Sequence, residues 1–356
     1  MKLLILTQKV DINDDLLGFM HGWIKEFSKK CEKVTVIALG AGQYNLPENV
    51  KILSLGKEKG RSKIMYLINF YKYIWRERKN YDAVFVHMNH GYVILGGLFW
   101  RLSGKKIGLW YVHKQTSFSL KLAEKLANII YTASKESFRL PSSKLKIIGH
   151  GIDLSIFYYS PRAKFDGNFK IIYVGRINKI KNQRLLVEAM DILVNERGVK
   201  DIEVNLAGSP VYQDGNDYKD ELVQQIKDGR LENYVKFIGS VPNKDMASVY
   251  RQADLSVNLC PTGGMDKAVL ESIAMGLPVV VFNKAFAPLF SEADYFILNN
   301  LSAPELADKI QTLLNAPKEE LNSIIFNLRK KITDKYDLTG LIGKILSGLE
   351  NKYGGQ

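Results

Sequence analysis

Residues 170–196 read KIIYVGRINKIKNQRLLVEAMDILVNE and contain the two patterns on which the fold prediction rests. β-branched and aromatic side chains fill the segment Lys170–Val174, which predicts a buried strand. From Gln183 to Glu196, apolar side chains recur at helical spacing, which predicts a helix. A short basic turn joins the two. A strand that passes through a short turn into a helix is the repeating unit of parallel α/β folds.

The same alternation fills the rest of the chain. In the first half we predict strands at Lys2–Thr7, Lys33–Leu39, Val50–Leu53, Asp82–His87, Lys106–Val112, Asn128–Thr132 and Leu145–Ile148. In the second half we predict further strands at Glu203–Leu206, Val235–Ile238, Leu255–Leu259 and Val279–Phe282. Helical patterns lie between most of these strands, as at Asp15–Lys30, Ser62–Arg78, Asp217–Lys227, Lys244–Gln252 and Lys267–Met275. This order predicts an α/β protein with two doubly wound, Rossmann-like parallel-sheet domains.

A polar break at residues 160–168 separates the two halves. We predict an N-terminal domain over residues 1–160 and a C-terminal domain over residues 168–335. Residues 336–356 are predicted to form a helix that returns to the N-terminal domain. Ligands of such sheets bind at the carboxyl ends of the strands and preferentially between domains. The residues that follow the strands are therefore the candidates for a functional site.

Composition restricts the cellular setting. The two cysteines, Cys31 and Cys260, are too few for a disulfide framework or a zinc site, which favours a reducing compartment. The most apolar stretch, Tyr92–Trp100, is followed by Arg101 and is shorter than the roughly 20 residues of a membrane span. The first strand is too short for the core of a signal peptide. We therefore expect a cytoplasmic protein, with a peripheral position at the inner membrane face left open.

The net charge is +13, and the densest basic cluster lies at Lys57–Lys79. Apolar side chains recur there at helical spacing: Ile64, Leu67, Ile68, Tyr71 and Trp75. Two interpretations are open: a core-packed helix with a solvated basic face, or contact of residues 61–79 with an anionic membrane. The sequence shows no helix-turn-helix, RNP-type or zinc-finger pattern, so we predict no nucleic-acid partner.

Two cations follow the strand that opens the second half. Gly175 ends this strand, and Arg176 and Lys181 lie in the turn before the helix that begins near Asn182. A helix N-terminus offers free N–H groups and the positive end of its dipole. Together with two cationic side chains, it makes a turn suited to a pyrophosphate. The alternative is an exposed basic loop without a ligand.

A glycine-containing stretch follows a later strand. Residues 261–280 read PTGGMDKAVLESIAMGLPVV. Gly263 and Gly264 allow a ligand to approach the backbone closely. Glu271 can accept two hydrogen bonds from a vicinal diol such as a ribose. The alternatives are an ordinary glycine turn and a surface ion pair between Lys267 and Glu271.

Together, the two stretches resemble the C-terminal domain of glycosyltransferase family 4. Further landmarks of that family resemble segments found here in the same order: His150–Asp153, Leu206–Ser209 and Phe237–Val241. The resemblance implies the GT-B fold, in which two Rossmann-like domains face each other across a cleft. It also implies a retaining glycosyltransferase that moves a sugar from a nucleoside-diphosphate sugar to a glycan or lipid-linked acceptor. Neither a metal nor a cofactor is implied.

The resemblance also implies roles for single residues. Arg176 and Lys181 would stabilise the leaving phosphate, Glu271 would hold the ribose, and His113 would lie near the reacting sugar as the third catalytic candidate. The residues expected to contact the donor are Gly175, Gly208, Ser209, Ser240, Val241, Gly263, Gly264, Met265, Asp266, Lys267, Leu270 and Glu271. The candidates on the acceptor side are Gly18, His87 and Ser134.

The sequence departs from the family pattern in two places. The family usually carries two glutamates separated by seven residues, and Gly263 stands at the first position here. We expect Asp266 and Lys267 to take over part of the sugar or phosphate contact; helix capping or a surface charge is the alternative. The first loop lacks the glycine pair that is typical of the family, and only Gly18 remains. The same loop contains three carboxylates, which we expect to serve as loop or helix-cap residues rather than metal ligands: Asp11, Asp14 and Asp15.

Other functions stay open at this stage. A GT-B nucleotide-sugar epimerase, a phosphorylase and an inactive homologue share the architecture. A basic module that binds membranes or nucleic acid is a further alternative, because of the net charge.

Overall fold

The computed structural model describes residues 1–159, 167–290 and 296–350. The chain divides into two compact units. Unit 1 contains Met1–Asp153, Pro242–Lys244 and the chain from Asp337 on, and unit 2 contains Leu154–Val241 and Asp245–Tyr336. Most of the predicted linker, at 160–166, and the last six residues of the predicted C-terminal segment lie outside the described residues.

The strands and helices follow the alternation expected from the sequence. The strands are β1 (Lys2–Val10), β2 (Lys33–Ala41), β3 (Val50–Ser54), β4 (Ala83–His87), β5 (Lys106–Trp110), β6 (Ile129–Thr132), β7 (Leu145–Ile147), β8 (Phe169–Val174), β9 (Ile202–Ala207), β10 (Val235–Gly239), β11 (Leu255–Asn258) and β12 (Val279–Val281). The helices are α1 (Phe19–Lys30), α2 (Lys63–Arg76), α3 (Gly91–Leu102), α4 (Phe118–Leu126), α5 (Gln183–Asp191), α6 (Gln213–Asp228), α7 (Asn243–Arg251), α8 (Lys267–Ala274), α9 (Ala287–Phe290), α10 (Ala303–Asn315), α11 (Lys318–Lys335) and α12 (Leu338–Leu349).

Unit 1 is built on a seven-stranded sheet with the order β3-β2-β1-β4-β5-β6-β7. All of its strand pairs are parallel. Strand β4 is buried along its whole length, as expected for the middle of a parallel sheet with both faces covered. One face packs against α1 and α12, and the other packs against α2, α3 and α4. The Tyr131 hydroxyl donates to the Ile345 carbonyl oxygen at 2.9 Å and so ties α12 to β6.

Helix α2 packs on the core through a face that the sequence pattern did not indicate. Its buried side chains are Asn69, Phe70 and Ile74. The side chains of the predicted apolar stripe are all exposed: Ile64, Leu67, Ile68, Tyr71 and Trp75. The helix is therefore core-packed with exposed basic side chains, as one interpretation expected, but the apolar stripe is not the face that contacts the sheet.

Unit 2 is built on a five-stranded parallel sheet with the order β10-β9-β8-β11-β12. The predicted helix Gln183–Glu196 divides into α5 and a π-helical segment, Ile192–Glu196. A short 3₁₀ turn, Lys179–Lys181, precedes α5. The two parallel sheets with their covering helices confirm the predicted fold class. Within the described ranges, no helix is long and apolar enough to cross a membrane.

Candidate active site

The sheet of unit 2 gathers the predicted donor-binding residues at one edge. Strands β10, β9, β8 and β11 are neighbours and run parallel, so their carboxyl ends lie along the same edge. Each is followed by predicted residues: β10 by Ser240 and Val241, β9 by Gly208 and Ser209, β8 by Gly175 and Arg176, and β11 by the loop that leads to Asp266. This arrangement brings together segments that are far apart in the sequence.

The backbones after β8 and β9 lie in close contact. The Gly175 amide donates to the Ala207 carbonyl oxygen at 2.9 Å, and the Ile177 amide donates to the Ser209 carbonyl oxygen at 3.2 Å. A Cβ atom on Gly208 would lie 2.1 Å from the Gly175 carbonyl oxygen, and Gly208 also has a φ of 144°. Glycine at position 208 is therefore required for this contact.

Lys181 and Asp266 form an ion pair at this edge. The exposed fractions of the two side chains are 14% and 24%, so the pair is largely shielded from solvent. The Asn258 side-chain amide, at the end of β11, donates to the same Asp266 oxygen at 3.1 Å. The other carboxylate oxygen caps α8 through the Ala268 amide. Asp266 therefore caps a helix, as one sequence interpretation held, and also holds Lys181.

The pKa values of the pair shift toward the charged forms. Burial raises the pKa of the Asp266 carboxyl, but the Lys181 ammonium and the hydrogen bonds from Asn258 and Ala268 together outweigh burial, and the net pKa lies below its ordinary value. Burial lowers the pKa of the Lys181 ammonium, but Asp266 and Cys260 together outweigh burial, and the net pKa lies above its ordinary value. The site thus contains a stable cation at neutral pH.

Arg176 lies in the same turn with an exposed side chain. The Gln183 side-chain amide donates to the Arg176 carbonyl oxygen at 2.9 Å, which connects the turn to the start of α5. The Arg176 guanidinium is close enough to lower the pKa of Lys181, as the last of several contributions. Because like charges repel, a bound anion would relieve this interaction between the two cations.

Glu271 lies one turn into α8 and is buried. The Tyr250 hydroxyl donates to its carboxylate at 3.3 Å and also to the Ala268 carbonyl oxygen at 3.2 Å. The Lys267 ammonium lies 3.9 Å from the other carboxylate oxygen of Glu271, so the i,i+4 pair given above as an alternative is present, but it is not a surface pair because the Glu271 side chain is buried. Burial and the nearby Glu271 carboxylate raise the pKa of Tyr250 well above its ordinary value. Tyr250 therefore remains a neutral hydrogen-bond donor that orients Glu271.

The glycine pair after β11 has a defined backbone. Gly263 has a φ of 105°, and a Cβ atom there would meet no heavy atom within 4 Å. The Asn283 side-chain amide, just after β12, donates to the carbonyl oxygens of Gly263 and Gly264, both at 3.3 Å. The position where the family carries its first glutamate therefore has open space, but its backbone conformation favours glycine. The neighbouring Met265 and Leu270 are buried.

The candidates from the first half lie in unit 1. His113 is exposed beyond the end of β5, and its Nδ1 atom accepts from the Gln115 amide at 3.2 Å. His87, at the end of β4, is buried against the rings of Phe19 and Trp23. The hydroxyls of Ser134 and Ser137 lie 3.0 Å apart.

Gly18 lies at the start of α1. A Cβ atom there would lie 2.4 Å from the Asp14 carbonyl oxygen, so the close turn into the helix requires glycine.

The acidic first loop is organised by a lysine. The Lys9 ammonium lies 3.2 Å from the Asp11 carboxylate and 2.7 Å from the Asp14 carboxylate. Asp14 also accepts from the amides of Leu16 and Leu17. These carboxylates therefore serve a salt bridge and a turn, which fits the loop and helix-cap duty expected from the sequence.

Sequence reasoning missed the side chains that support the predicted ones. Each is a polar or aromatic residue near a strand end or a helix end: Tyr173, Gln183, Tyr250, Asn258 and Asn283. In the sequence, only the amino-acid types of these residues hinted at a supporting role, since a buried asparagine at the end of a parallel strand needs a hydrogen-bond partner. The amino-acid type does not tell which residue that partner is.

Comparison with known proteins gives a consistent result. Residues 168–316 match the family model "Glycosyl transferases group 1". D-inositol 3-phosphate glycosyltransferase of Paenarthrobacter aurescens (strain TC1) is 29% identical over 147 residues, which are 39% of this chain and 35% of that protein. Amylovoran biosynthesis glycosyltransferase AmsK of Erwinia amylovora is 27% identical over 146 residues, 39% of this chain and 34% of that protein. The chain spans about half the length, or less, of the curated relatives it matches.

A solved structure matches over nearly the whole length. Anabaena Alr3699/HepE, in complex with UDP and glucose, is 19% identical, with a TM-score of 0.77 over 99% of this chain and 100% of that chain. The similarity extends the fold assignment to both units. Residues 168–316, which are less than half of the chain, are thus similar to the family Glycosyl transferases group 1.

Proposed function

We propose that this protein is a retaining, metal-independent glycosyltransferase. It moves a sugar from a nucleoside-diphosphate sugar to a glycan or lipid-linked acceptor in polysaccharide biosynthesis. The observation that carries the proposal is the convergence of Arg176, Lys181 and the helix that carries Glu271 at one sheet edge of unit 2. This edge lies in the family domain.

The diphosphate is bound by Arg176 and Lys181. When the bond between the sugar and the diphosphate breaks, negative charge develops on the leaving phosphate, and a fixed cation stabilises that charge as it forms. Lys181 suits this role because Asp266 and the short 3₁₀ turn hold it in place. Arg176 adds an exposed guanidinium. Arg176 and Lys181 together provide the positive charge that a divalent metal provides in other transferases.

The nucleoside is bound by residues on either side of the diphosphate. Glu271 accepts hydrogen bonds from the two ribose hydroxyls, in an orientation that Tyr250 maintains. Ser240 and Val241 follow β10 and contact the base. Gly208 and Ser209 follow β9, which is the neighbour of β10 in the sheet, and allow the nucleotide to approach the backbone.

The sugar lies against the start of α8. Gly263 offers no carboxylate, so Gly264, Met265, Asp266 and Lys267 supply the contacts through backbone amides and the two charged side chains. His113 of unit 1 is our candidate for a further contact with the reacting sugar; its exposed ring fits this role. The acceptor side involves Gly18, Ser134 and His87, of which His87 packs against Phe19, the residue after Gly18.

We propose retention of anomeric configuration by attack from the same face that the phosphate leaves. The leaving phosphate takes the proton of the acceptor hydroxyl. The new bond joins that hydroxyl oxygen to the anomeric carbon, and the old bond breaks toward the diphosphate, so atoms and charge balance.

A panel of nucleoside-diphosphate sugars, incubated with the protein and an oligosaccharide or polyprenyl-linked acceptor mixture in EDTA, tests this proposal. We expect acceptor-dependent release of nucleoside diphosphate and a product with the donor's anomeric configuration by NMR. Conversion of the donor without an acceptor would favour an epimerase instead. Strict dependence on a divalent metal, or an inverted product, would contradict the mechanism.

A further inference from the structure

Unit 1 exposes a continuous apolar surface on the outer side of α2, α3 and α4. Ile64, Leu102 and Phe118 are 71%, 81% and 84% exposed. The exposed apolar residues of these helices, here called the three-helix surface, are Ile64, Met65, Leu67, Ile68, Tyr71, Trp75, Leu95, Leu98, Leu102, Phe118 and Leu122. Monomeric soluble proteins rarely expose contiguous apolar patches of this kind without a binding role.

Contacts between the helices make the surface continuous. The Tyr71 hydroxyl of α2 donates to the Leu95 carbonyl oxygen of α3 at 3.2 Å. The Trp75 and Phe99 rings lie 6.0 Å apart. Helices α3 and α4 lie close at Gly97, where a Cβ atom would meet the Leu126 side chain at 3.0 Å. The outward residues of the three helices therefore form one face.

The inward faces of the same helices pack against the sheet of unit 1. Phe70 and Ile74 of α2, Trp100 of α3 and Leu120 of α4 are buried in the core against the sheet. The buried Asn69 amide donates to the Leu55 carbonyl oxygen at 3.0 Å, which sets the orientation of α2. Rotation of α2 therefore cannot bury the outward apolar residues without breaking this packing. The outward apolar residues therefore stay exposed in unit 1 and are available to a partner.

The charges around the surface are positive. Exposed basic side chains on or next to the three helices are Arg61, Lys63, Lys72, Arg76, Lys79, Arg101, Lys121 and Lys125. Two carboxylates on or next to these helices have partners within the protein: Glu77 is buried against Lys51 and Arg76, and Glu124 accepts a hydrogen bond from Ser142. The Arg78 guanidinium lies 4.3 Å from the centroid of the Trp75 ring.

We propose that the three-helix surface binds the anionic surface of a lipid bilayer. The apolar side chains enter the boundary between headgroups and acyl chains, and the basic side chains contact lipid phosphates. Trp75 and Tyr71 lie at the headgroup level, where amphipathic aromatic rings are favoured. Binding through this surface does not depend on the transfer reaction proposed above.

The first experiment uses tryptophan fluorescence of the full chain without nucleotide. Of the four tryptophans, Trp75 is 59% exposed, whereas Trp23, Trp100 and Trp110 are at most 2% exposed. Vesicles that contain phosphatidylglycerol and brominated lipid should quench the emission of Trp75. The variant Trp75→Phe should lose the quenching but still sediment with the vesicles. Absence of quenching in the wild-type protein would overturn the proposal.

The second experiment is co-sedimentation with vesicles of phosphatidylcholine, with or without phosphatidylglycerol. We expect at least about tenfold tighter binding to the anionic vesicles, weakened by high salt. Leu98→Ser and Phe118→Ser should weaken binding about fivefold or more, since each removes buried apolar area. Phe326→Ser, at an exposed position on α11, is the apolar control and should bind like wild type.

Two charge-reversal variants, one on the proposed surface and one on the opposite face, complete the test. Lys72→Glu on α2 should weaken binding to anionic vesicles about tenfold, whereas Lys30→Glu on α1, which covers the other face of the sheet, should have little effect. An equal loss of vesicle affinity in the two variants would show that only the net charge of the protein matters, and would overturn the proposed surface. Dimerisation that the Leu98→Ser variant abolishes, without vesicle binding, would assign the surface to a second copy of the chain. UDP affinity measured on the same variants separates this test from that of the proposed reaction.

Discussion

The Lys181 ammonium is bound by the Asp266 carboxylate, although 85 residues of sequence separate them. Lys181 follows β8 and Asp266 follows β11, and these strands are neighbours in the sheet of unit 2. A carboxylate beside a proposed phosphate-binding lysine orients it, because it fixes the side chain before the ligand arrives. Two consequences of this ion pair can be measured.

Replacement of the carboxylate by an amide separates positioning from charge. Asp266→Asn keeps the size of the side chain and its helix-cap oxygen, but leaves the largely buried Lys181 without its counter-ion. We expect a decrease of about 1–3 kcal/mol in the free energy of unfolding and a loss of up to about 100-fold in kcat/KM. Urea unfolding and steady-state kinetics give the two values. An unchanged kcat/KM would show that Asp266 does not position Lys181.

The pair also predicts a pH dependence. Folding lowers the pKa of Asp266, so its stabilisation is complete above the unfolded value of about 3.9 and is lost as pH falls through the lower folded pKa. Folding raises the pKa of Lys181, so its stabilisation is complete below the unfolded value of about 10.4 and is lost as pH rises through the higher folded pKa. In Asp266→Asn only burial acts strongly on Lys181 and lowers its pKa, so the difference in unfolding free energy between wild type and this variant should be constant just above pH 3.9 and decrease where the lysine of the variant loses its proton. Urea titrations across the pH range measure it, and a difference that does not decrease as the pH falls below about 3.9 would argue against an ion pair.

Glu271 should make nucleotide binding depend on the two ribose hydroxyls. If its carboxylate holds the ribose hydroxyls, wild type should bind UDP at least about tenfold more tightly than 2′,3′-dideoxy-UDP, since two hydrogen bonds to a charged group are lost. Glu271→Gln should reduce this ratio, and calorimetric titration measures both affinities. The control is Glu188→Gln, at a surface pair between Glu188 and Arg184. An unchanged ratio in Glu271→Gln would remove the ribose assignment.

Two glycine variants test the backbone at the departure from the family pattern. Gly263→Ala forces an L-residue into positive φ and should destabilise the fold by about 1–2 kcal/mol, although the position has space for the methyl group. Gly343→Ala, inside α12 and also with open space, should stabilise it by about 0.5–1 kcal/mol. Thermal unfolding compares the two. Equal effects would show that φ at Gly263 is not a constraint.

The sequence was sufficient to predict the fold class, because its signal is local. Each strand and helix is encoded by its own periodicity, and the order of elements predicts parallel sheets. The predicted strand Leu255–Leu259 differs from β11 by one residue. The helix predicted from Asp15 begins at Phe19, because a turn comes first in which the Asp14 carboxylate accepts from the Leu17 amide and the Asp14 carbonyl oxygen accepts from the Gly18 amide.

The site was less predictable, because its partners are distant in sequence. The cationic turn and the glycine stretch could be identified, but the connection from Lys181 through Asp266 to Asn258 depends on strand order. Helix α2 shows a second limit. Both of its faces are largely apolar, so periodicity could not decide whether Ile68 or Phe70 faces the sheet.

The most direct test of the central claim is calorimetric titration of UDP into wild type, Arg176→Ala, Lys181→Ala and Lys179→Ala. Lys179 lies in the same turn and pairs with Glu221 at the surface, so it is a matched control for charge. The claim that Arg176 and Lys181 bind the diphosphate predicts that each of their alanine variants weakens UDP binding by about tenfold or more. Lys179→Ala should bind UDP like wild type. Wild-type affinity in Arg176→Ala and Lys181→Ala, or an equal loss in all three variants, would contradict it.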